Sequence, residues 1–230
     1  ARNCASWVRT SASTEQLAAD AAEAVAVAAG VPAQISTLIL PADVSWGDGA
    51  SAVEVAPAAK PPVAADDTVE TIAAALKGGS KTALLLGGRV LREDGLRAAS
   101  QIAEKTGAKL FCEVFPTRLR RGAGVPHVER VAYLAEMSSV QLGEFENLVL
   151  VDAKAPVSFF AYPGKKSYLV PESCGLHNLV EPEQDALGSL LALVDAVEAS
   201  GTEPSLPALE RPTLPDGKLT GAMACQAIGA

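Results

Sequence analysis

Apolar positions recur along this chain in two rhythms. Between residues 66 and 200, short unbroken apolar runs alternate with stretches whose apolar residues return every three or four positions. The unbroken runs predict buried strands, and the wider spacing predicts helices lying on them. Strands are predicted over 82–86, 109–114, 147–152 and 167–170. Asp67 predicts the start of a helix with Val69, Ile72, Ala73 and Leu76 on its inner face, closed by Gly78-Gly79. Leu96, Ala99, Ile102 and Ala103 make a second stripe that ends at Gly107. Pro182, at a first-turn position, opens a long helix through Leu187, Leu190, Leu191, Val194 and Val197, with Gly201 as its stop. Such alternation predicts an α/β fold: a Rossmann-like parallel sheet with helices on both faces.

The flanks read differently. Ser13 and Gln16 have the spacing of a capping box, which predicts a helix over 14–29 with Leu17, Ala21, Ala24, Val25 and Ala28 on one face. Gly30 and Pro32 end it, and the β-branched run 35–40 predicts a buried strand that stops at Pro41. Residues 47–65 hold Gly47, Gly49, Pro57, Pro61 and Pro62 without a period, which predicts a linker. Residues 201–217, with Pro204, Pro207, Pro212 and Pro215, predict a second, and 219–228 one last helix. The predicted organisation is a partial unit (1–46), a linker (47–65), one complete domain (66–200), a linker (201–217) and the start of another unit (218–230). Neither flank buries an apolar face by itself. The chain is therefore expected to be a section of a larger protein, and its first residue, Ala1, fits that expectation.

Charge and cysteines narrow the function classes. The net charge of −8 argues against nucleic acid, whose phosphates require clustered lysine and arginine. Cys4, Cys112, Cys174 and Cys225 lie far apart, without the close pairing of structural zinc, and predict free thiols in a reducing cytoplasm. No apolar run has the length of a membrane span, and the first ten residues lack the pattern of a signal peptide. Among chemical motifs, Gly47-Asp48-Gly49 spells the start of a magnesium-binding motif, but the asparagine that would complete an oxygen cage is missing, so a turn is predicted. His127 and His177 have no evident partner, and no nucleophile elbow or Walker loop is present.

Leu40-Pro41-Ala42-Asp43-Val44 before the first linker resembles the end of the pyrimidine-binding domain of thiamine-diphosphate-dependent enzymes of the acetolactate synthase type, and Trp7-Val8-Arg9 resembles part of that domain's last helix. Leu84-Leu85-Leu86-Gly87-Gly88 is similar to the opening strand and turn of their central domain. Pro212 and Pro215-Asp216-Gly217, followed by Leu219-Thr220, resemble the opening of their diphosphate-binding domain. The resemblance covers essentially the whole chain. The stretch from Val157 through Phe159, Phe160, Tyr162 and Gly164 to Lys165 is more similar to a less studied branch than to the biosynthetic synthases.

The resemblance implies a central Rossmann-like domain with parts of its two neighbours. It also implies a parent enzyme that decarboxylates 2-keto acids, or joins them to a second carbonyl, with thiamine diphosphate and Mg2+, as a homodimer or homotetramer. The family's catalytic glutamate and metal motif have no counterpart in place here, so no catalytic or metal residue is assigned and the fragment alone is expected to be inactive. The candidate cofactor-binding residues are Gly87, Gly88 and Arg89, after the first strand of the central domain, and Arg118 in the loop of Arg118, Arg120 and Arg121. A glycine turn at a strand's carboxyl end admits a phosphate, and arginines grip one. FAD or ADP is the expected ligand if there is one, although neither GxGxxG nor the arginine loop of FAD-dependent relatives is found. Two other readings remain: a self-standing nucleotide- or flavin-binding module, and a structural domain without ligand.

Overall fold

The computed structural model describes residues 1–161 and 163–230; Tyr162 lies outside the described residues. They form two compact units, Ala1–Ala64 with Val180–Asp185, and Ala65–Leu179 with Ala186–Ala230.

In the first unit, β1 (Trp7–Thr10) and β2 (Ser36–Ile39) pair in parallel, from Trp7 opposite Ser36 to Thr10 opposite Ile39. A parallel pair needs a crossover, and α1 (Thr14–Ala29) supplies it. A short helix, α2 (Ala42–Trp46), follows. Little apolar surface is buried: Ala24, Val44, Ala64 and Val180 are the buried hydrophobics among the described residues of this unit. A buried carboxylate joins the elements instead. Asp20 accepts from Arg9 Nη1 at 2.9 Å and from Ser11 Oγ at 2.8 Å, and Arg9 also bridges to Glu23. Arg9 and then Ser11 hold the Asp20 carboxyl below the usual range.

Three expectations change here. Trp7–Thr10 is a strand rather than the end of a helix, because its backbone pairs with a segment beyond α1. Ser13 occupies the N-cap of α1 but its side chain accepts no N–H, and it lies beside the Glu15 carboxylate, whose pKa it lowers. The run 35–40 is only half-buried, with Ile35, Ile39 and Leu40 exposed, and Val25 of α1 is exposed too. One helix on a two-stranded sheet leaves apolar positions uncovered.

The second unit is built on a five-stranded sheet in the order β5-β4-β3-β6-β7, every pair parallel. The strands are β3 (Thr82–Leu86), β4 (Lys109–Cys112), β5 (Glu129–Arg130), β6 (Asn147–Val151) and β7 (Gly175–Asn178). Around it lie α3 (Asp66–Lys77), a 3-10 turn (Gly88–Leu91), α4 (Glu93–Thr106), α5 (Ala135–Leu142) and α6 (Ala186–Ala196). One face carries Ala83, Leu85, Phe111, Leu148 and Leu150, packed with Leu142 of α5. The other carries Leu84, Leu86, Val149 and Val151, on the side of α3, α4 and α6, which pack on one another. All five residues of β3 are buried, so its side chains work on both faces. Each fully buried leucine stabilises by about 1.5–3 kcal/mol. The fold is thus α/β, a parallel sheet flanked by helices.

The predicted strand 167–170 is absent. Tyr168 makes an isolated antiparallel bridge with Val157, and the outer position is taken by β7, whose Gly175 N–H donates to Glu146 O at 2.7 Å. A Cβ on Gly175 would lie 2.7 Å from Asn147 Oδ1, so a larger residue there would displace the Asn147 side chain. Pro182 does not open a helix either. Residues 180–185 form a turn whose Asp185 N–H donates to Pro62 O at 2.7 Å, and α6 begins only at Ala186. Its buried face is Ala186, Ser189, Leu190, Leu193 and Val194, while Leu191 is exposed. Residues 201–217 carry no helix or strand, and α7 (Gly221–Gly229) follows, capped by Thr220 Oγ1, which accepts the Met223 N–H at 3.2 Å. No residue of α7 is buried. Among the described residues no helix is long and apolar enough to cross a membrane.

Candidate functional site

The strand order identifies where a ligand belongs in such a sheet. After β3 the chain moves outward to β4 and β5, then returns to β6 on the other side of β3. Ligands bind at this reversal, outside the carboxyl ends of the strands. Gly87, Gly88 and Arg89 follow β3 there, Asp152 follows β6, and Glu113 follows β4.

The turn is filled from inside the protein. Gly87 N–H donates to Val151 O at 3.0 Å, and a Cβ on Gly87 would lie 2.3 Å from Asp152 O. Gly88 has φ +42°, and a Cβ there would lie 2.1 Å from Asp152 Oδ2. That same carboxylate accepts the Arg89 N–H at 2.7 Å. The Glu113 carboxylate faces the Gly88 N–H, which pulls its pKa down. One N–H that could hold a phosphate, that of Arg89, is therefore engaged by Asp152, Glu113 faces the neighbouring Gly88 N–H, and the glycines make room for the Asp152 side chain. Asp152 itself has φ 51°, a region that aspartate tolerates better than most residues. Burial pushes the Glu113 carboxyl up, and the charge of Asp152 adds to this, against the pull of the Gly88 N–H.

Of the candidate residues, Gly87, Gly88 and Arg89 form one turn, and Arg118 is tied to it through its backbone. Arg118 O accepts Arg92 Nη1 at 3.1 Å, and Arg120 N–H donates to Leu91 O at 2.9 Å. The side chains of Arg89, Arg118, Arg120 and Arg121 have no acid partner among the described residues. Sequence reasoning missed Asp152 and Glu113. The signal was there: each is an acid placed directly after an apolar strand of a parallel sheet.

Gly47-Asp48-Gly49 lies after α2 in an exposed stretch without secondary structure. No three His, Cys, Asp or Glu side chains converge as a metal would require among the described residues. The residues present do not build a magnesium–diphosphate site. His177 Nε2 is 3.1 Å from Asn147 Oδ1, between β7 and β6, and His127 lies beside Arg120 and Pro207 in a cavity of about 210 Å³. The cysteines are unpaired: Cys4 and Cys225 are exposed, Cys112 is buried, and Cys174 is half-buried. Burial pushes the Cys112 and Cys174 thiols up, at Cys112 against the opposing charges of Arg130 and Arg121.

No protein-family model matches the sequence. A curated protein of Mycobacterium tuberculosis named for the acetolactate synthase large subunit (IlvX) is 47% identical over 224 residues, 97% of this chain and 42% of that protein. Among solved structures, a thiamin diphosphate-dependent enzyme from Mycobacterium smegmatis superposes with a TM-score of 0.65 at 21% identity, over 90% of this chain and 43% of the other. The benzoylformate decarboxylase of Polynucleobacter necessarius gives a TM-score of 0.62 at 20% identity, over 95% and 44%. The 4-hydroxybenzoylformate decarboxylase of Rhodococcus jostii gives 0.59 at 19%, over 95% and 44%. At these identities the structures speak for the fold alone. The chain spans less than half the length of the relatives it matches. Across nearly all of its own length, then, this chain is similar to a protein named for the acetolactate synthase large subunit, and its fold is that of thiamine-diphosphate-dependent enzymes.

Proposed function

We propose that this chain supplies the central layer of a thiamine-diphosphate- and Mg2+-dependent enzyme that decarboxylates 2-keto acids or ligates them to a second carbonyl, a lyase or transferase. Residues 66–200 serve as the structural spacer between a pyrimidine-binding domain ending within 1–46 and a diphosphate-binding domain beginning at 218–230. The parent works in the cytoplasm as a homodimer or homotetramer. Thiamine diphosphate, when bound to the parent, supplies the electron sink that decarboxylation requires. The residues of this chain set the distance and orientation of the layers that hold it.

The spacer role rests on one observation: Asp152 occupies the glycine turn where a nucleotide phosphate would sit. One observation favours a second reading, with ADP or FAD bound on Gly87, Gly88, Arg89 and Arg118. The arginines around the turn lack acid partners among the described residues, and they sit in a chain of net charge −8. Titration with ADP and FAD separates the two. The spacer reading expects no saturable binding, and binding that Arg118→Ala weakens would replace it. The enzyme assignment is tested with pyruvate, thiamine diphosphate and Mg2+. Turnover is expected when the chain is extended at both sides to the length of its relatives, and none from these residues alone. Turnover by the 230 residues alone would contradict the proposal.

A further inference from the structure

Beside the glycine turn lies a second feature that the spacer role does not use. A cavity of about 210 Å³ opens at the carboxyl edge of the sheet, walled by Leu85, Val131 and Pro156. Phe115 and Phe159 line it, with ring centroids 5.1 Å apart. Tyr133 stacks on Phe159 at 5.5 Å, and Phe160 meets Tyr133 edge-on at 6.0 Å. All four rings are roughly half exposed. Soluble proteins seldom leave several rings together in water, and such a patch marks a binding surface. Lys154 also lines the cavity. It has no acid partner among the described residues, whereas Lys81, Lys109, Lys165 and Lys166 of the same unit each pair with a glutamate.

Size, walls and charge together select the occupant. Pockets for drug-sized ligands hold roughly 300–1,000 Å³. This one is smaller, so it suits a single ring and is too small to enclose a dinucleotide. Apolar walls and a rim of aromatic rings favour an aromatic ring, which packs edge-on or offset against its neighbours. An unpaired ammonium group favours an anionic substituent. Glu113 also lines the cavity, and the Gly88 N–H acts on its carboxylate from the side of the glycine turn. We infer that the cavity between Phe115, Phe159 and Lys154 is a binding site for a single-ring aromatic monocarboxylate, its ring among the phenylalanines and its carboxylate on the Lys154 ammonium. This site is independent of the catalytic assignment, and it does not use the phosphate turn.

Benzoate is the probe, titrated into the 230-residue chain and followed by backbone amide NMR. Saturable shifts are expected at Phe115, Val131 and residues 154–159. Phe159→Ala should weaken binding about threefold to tenfold, and Lys154→Gln about threefold. Val157→Trp, at an exposed position on the wall, should fill the space and abolish binding while the amide shifts of the sheet stay in place. Acetate should fail to saturate, and benzyl alcohol should bind more weakly than benzoate. Shifts confined to other surfaces, variants that bind as the parent does, or equal binding of benzyl alcohol would overturn the inference. So would concentration-dependent line broadening that Phe159→Ala abolishes while benzoate fails to bind, since it would assign the rings to a contact between copies of the chain.

Discussion

The two units solve the same problem, a parallel sheet, with different materials. In the second, β3 is buried along its whole length, and helices lie on both faces of the sheet. In the first, two strands share one helix, and Asp20 with Arg9 and Ser11 stands where a core would be. Apolar burial grows with the number of layers, so a thin sheet leans on local polar bonds and a thick one does not. The first unit should therefore respond to pH and salt, and the second to lost side-chain volume.

Truncation gives the largest contrast. Leu85→Ala, in the middle of the five-stranded sheet, should cost about 2–5 kcal/mol in chemical denaturation of the second unit. Ile39→Ala, on the exposed side of β2, should cost well under about 1 kcal/mol. Similar losses at the two positions would erase the distinction. Gly88→Ala should come next, at about 1–3 kcal/mol, because its φ is positive and its Cβ meets the Asp152 carboxylate. Adding Asp152→Gly should recover part of that loss, and a double-mutant cycle showing no coupling would mean that the turn does not close on Asp152.

Asp20→Asn should destabilise the first unit and leave the second unchanged by hydrogen exchange. The folded-state pKa of Asp20 is depressed, so its contribution is present above the ordinary aspartate range and is lost as pH falls through the folded value. The first unit should thus open before the second on acidification, and the Asn variant should lose that pH dependence. The smallest effect belongs to Glu113→Gln, with the opposite sign. The Glu113 pKa is raised in the fold, so stability falls as pH rises from the ordinary glutamate range through the folded value. The Gln variant removes that ionisation and should melt slightly higher than the parent near pH 7, with the gain disappearing in acid.

What could be read in advance follows the same divide. β3, β6 and α4 announce themselves, because burial on both faces forces unbroken apolar strands and because Gly107, at φ +76°, ends a strongly patterned helix. α5 does not. Its sequence, AEMSSVQL, has little pattern, and Ser138 is buried there only because its hydroxyl donates to Ala132 O at 2.5 Å. β7, with the sequence GLHN, is an edge strand whose position comes from backbone pairing with β6, and no apolar run marks it. The apolar stretch 167–170 looked more like a strand, but Leu169 N–H donates to Pro156 O in a loop. At the candidate site the glycines were legible from composition. Their use was not, because Asp152 reaches Gly88 across 64 residues of chain, and such pairs appear only once the strand order is known.

The cysteines give this architecture a built-in timer. Cys4 and Cys225 lie open to solvent, while Cys112 sits at the end of β4 with no exposed surface. A thiol-alkylating reagent should mark the first two at once and reach the third only when the sheet parts. Where marking outpaces reclosing, the lag between the two events reads the opening rate of the five-stranded sheet, without a dye, a tag or an assay of activity.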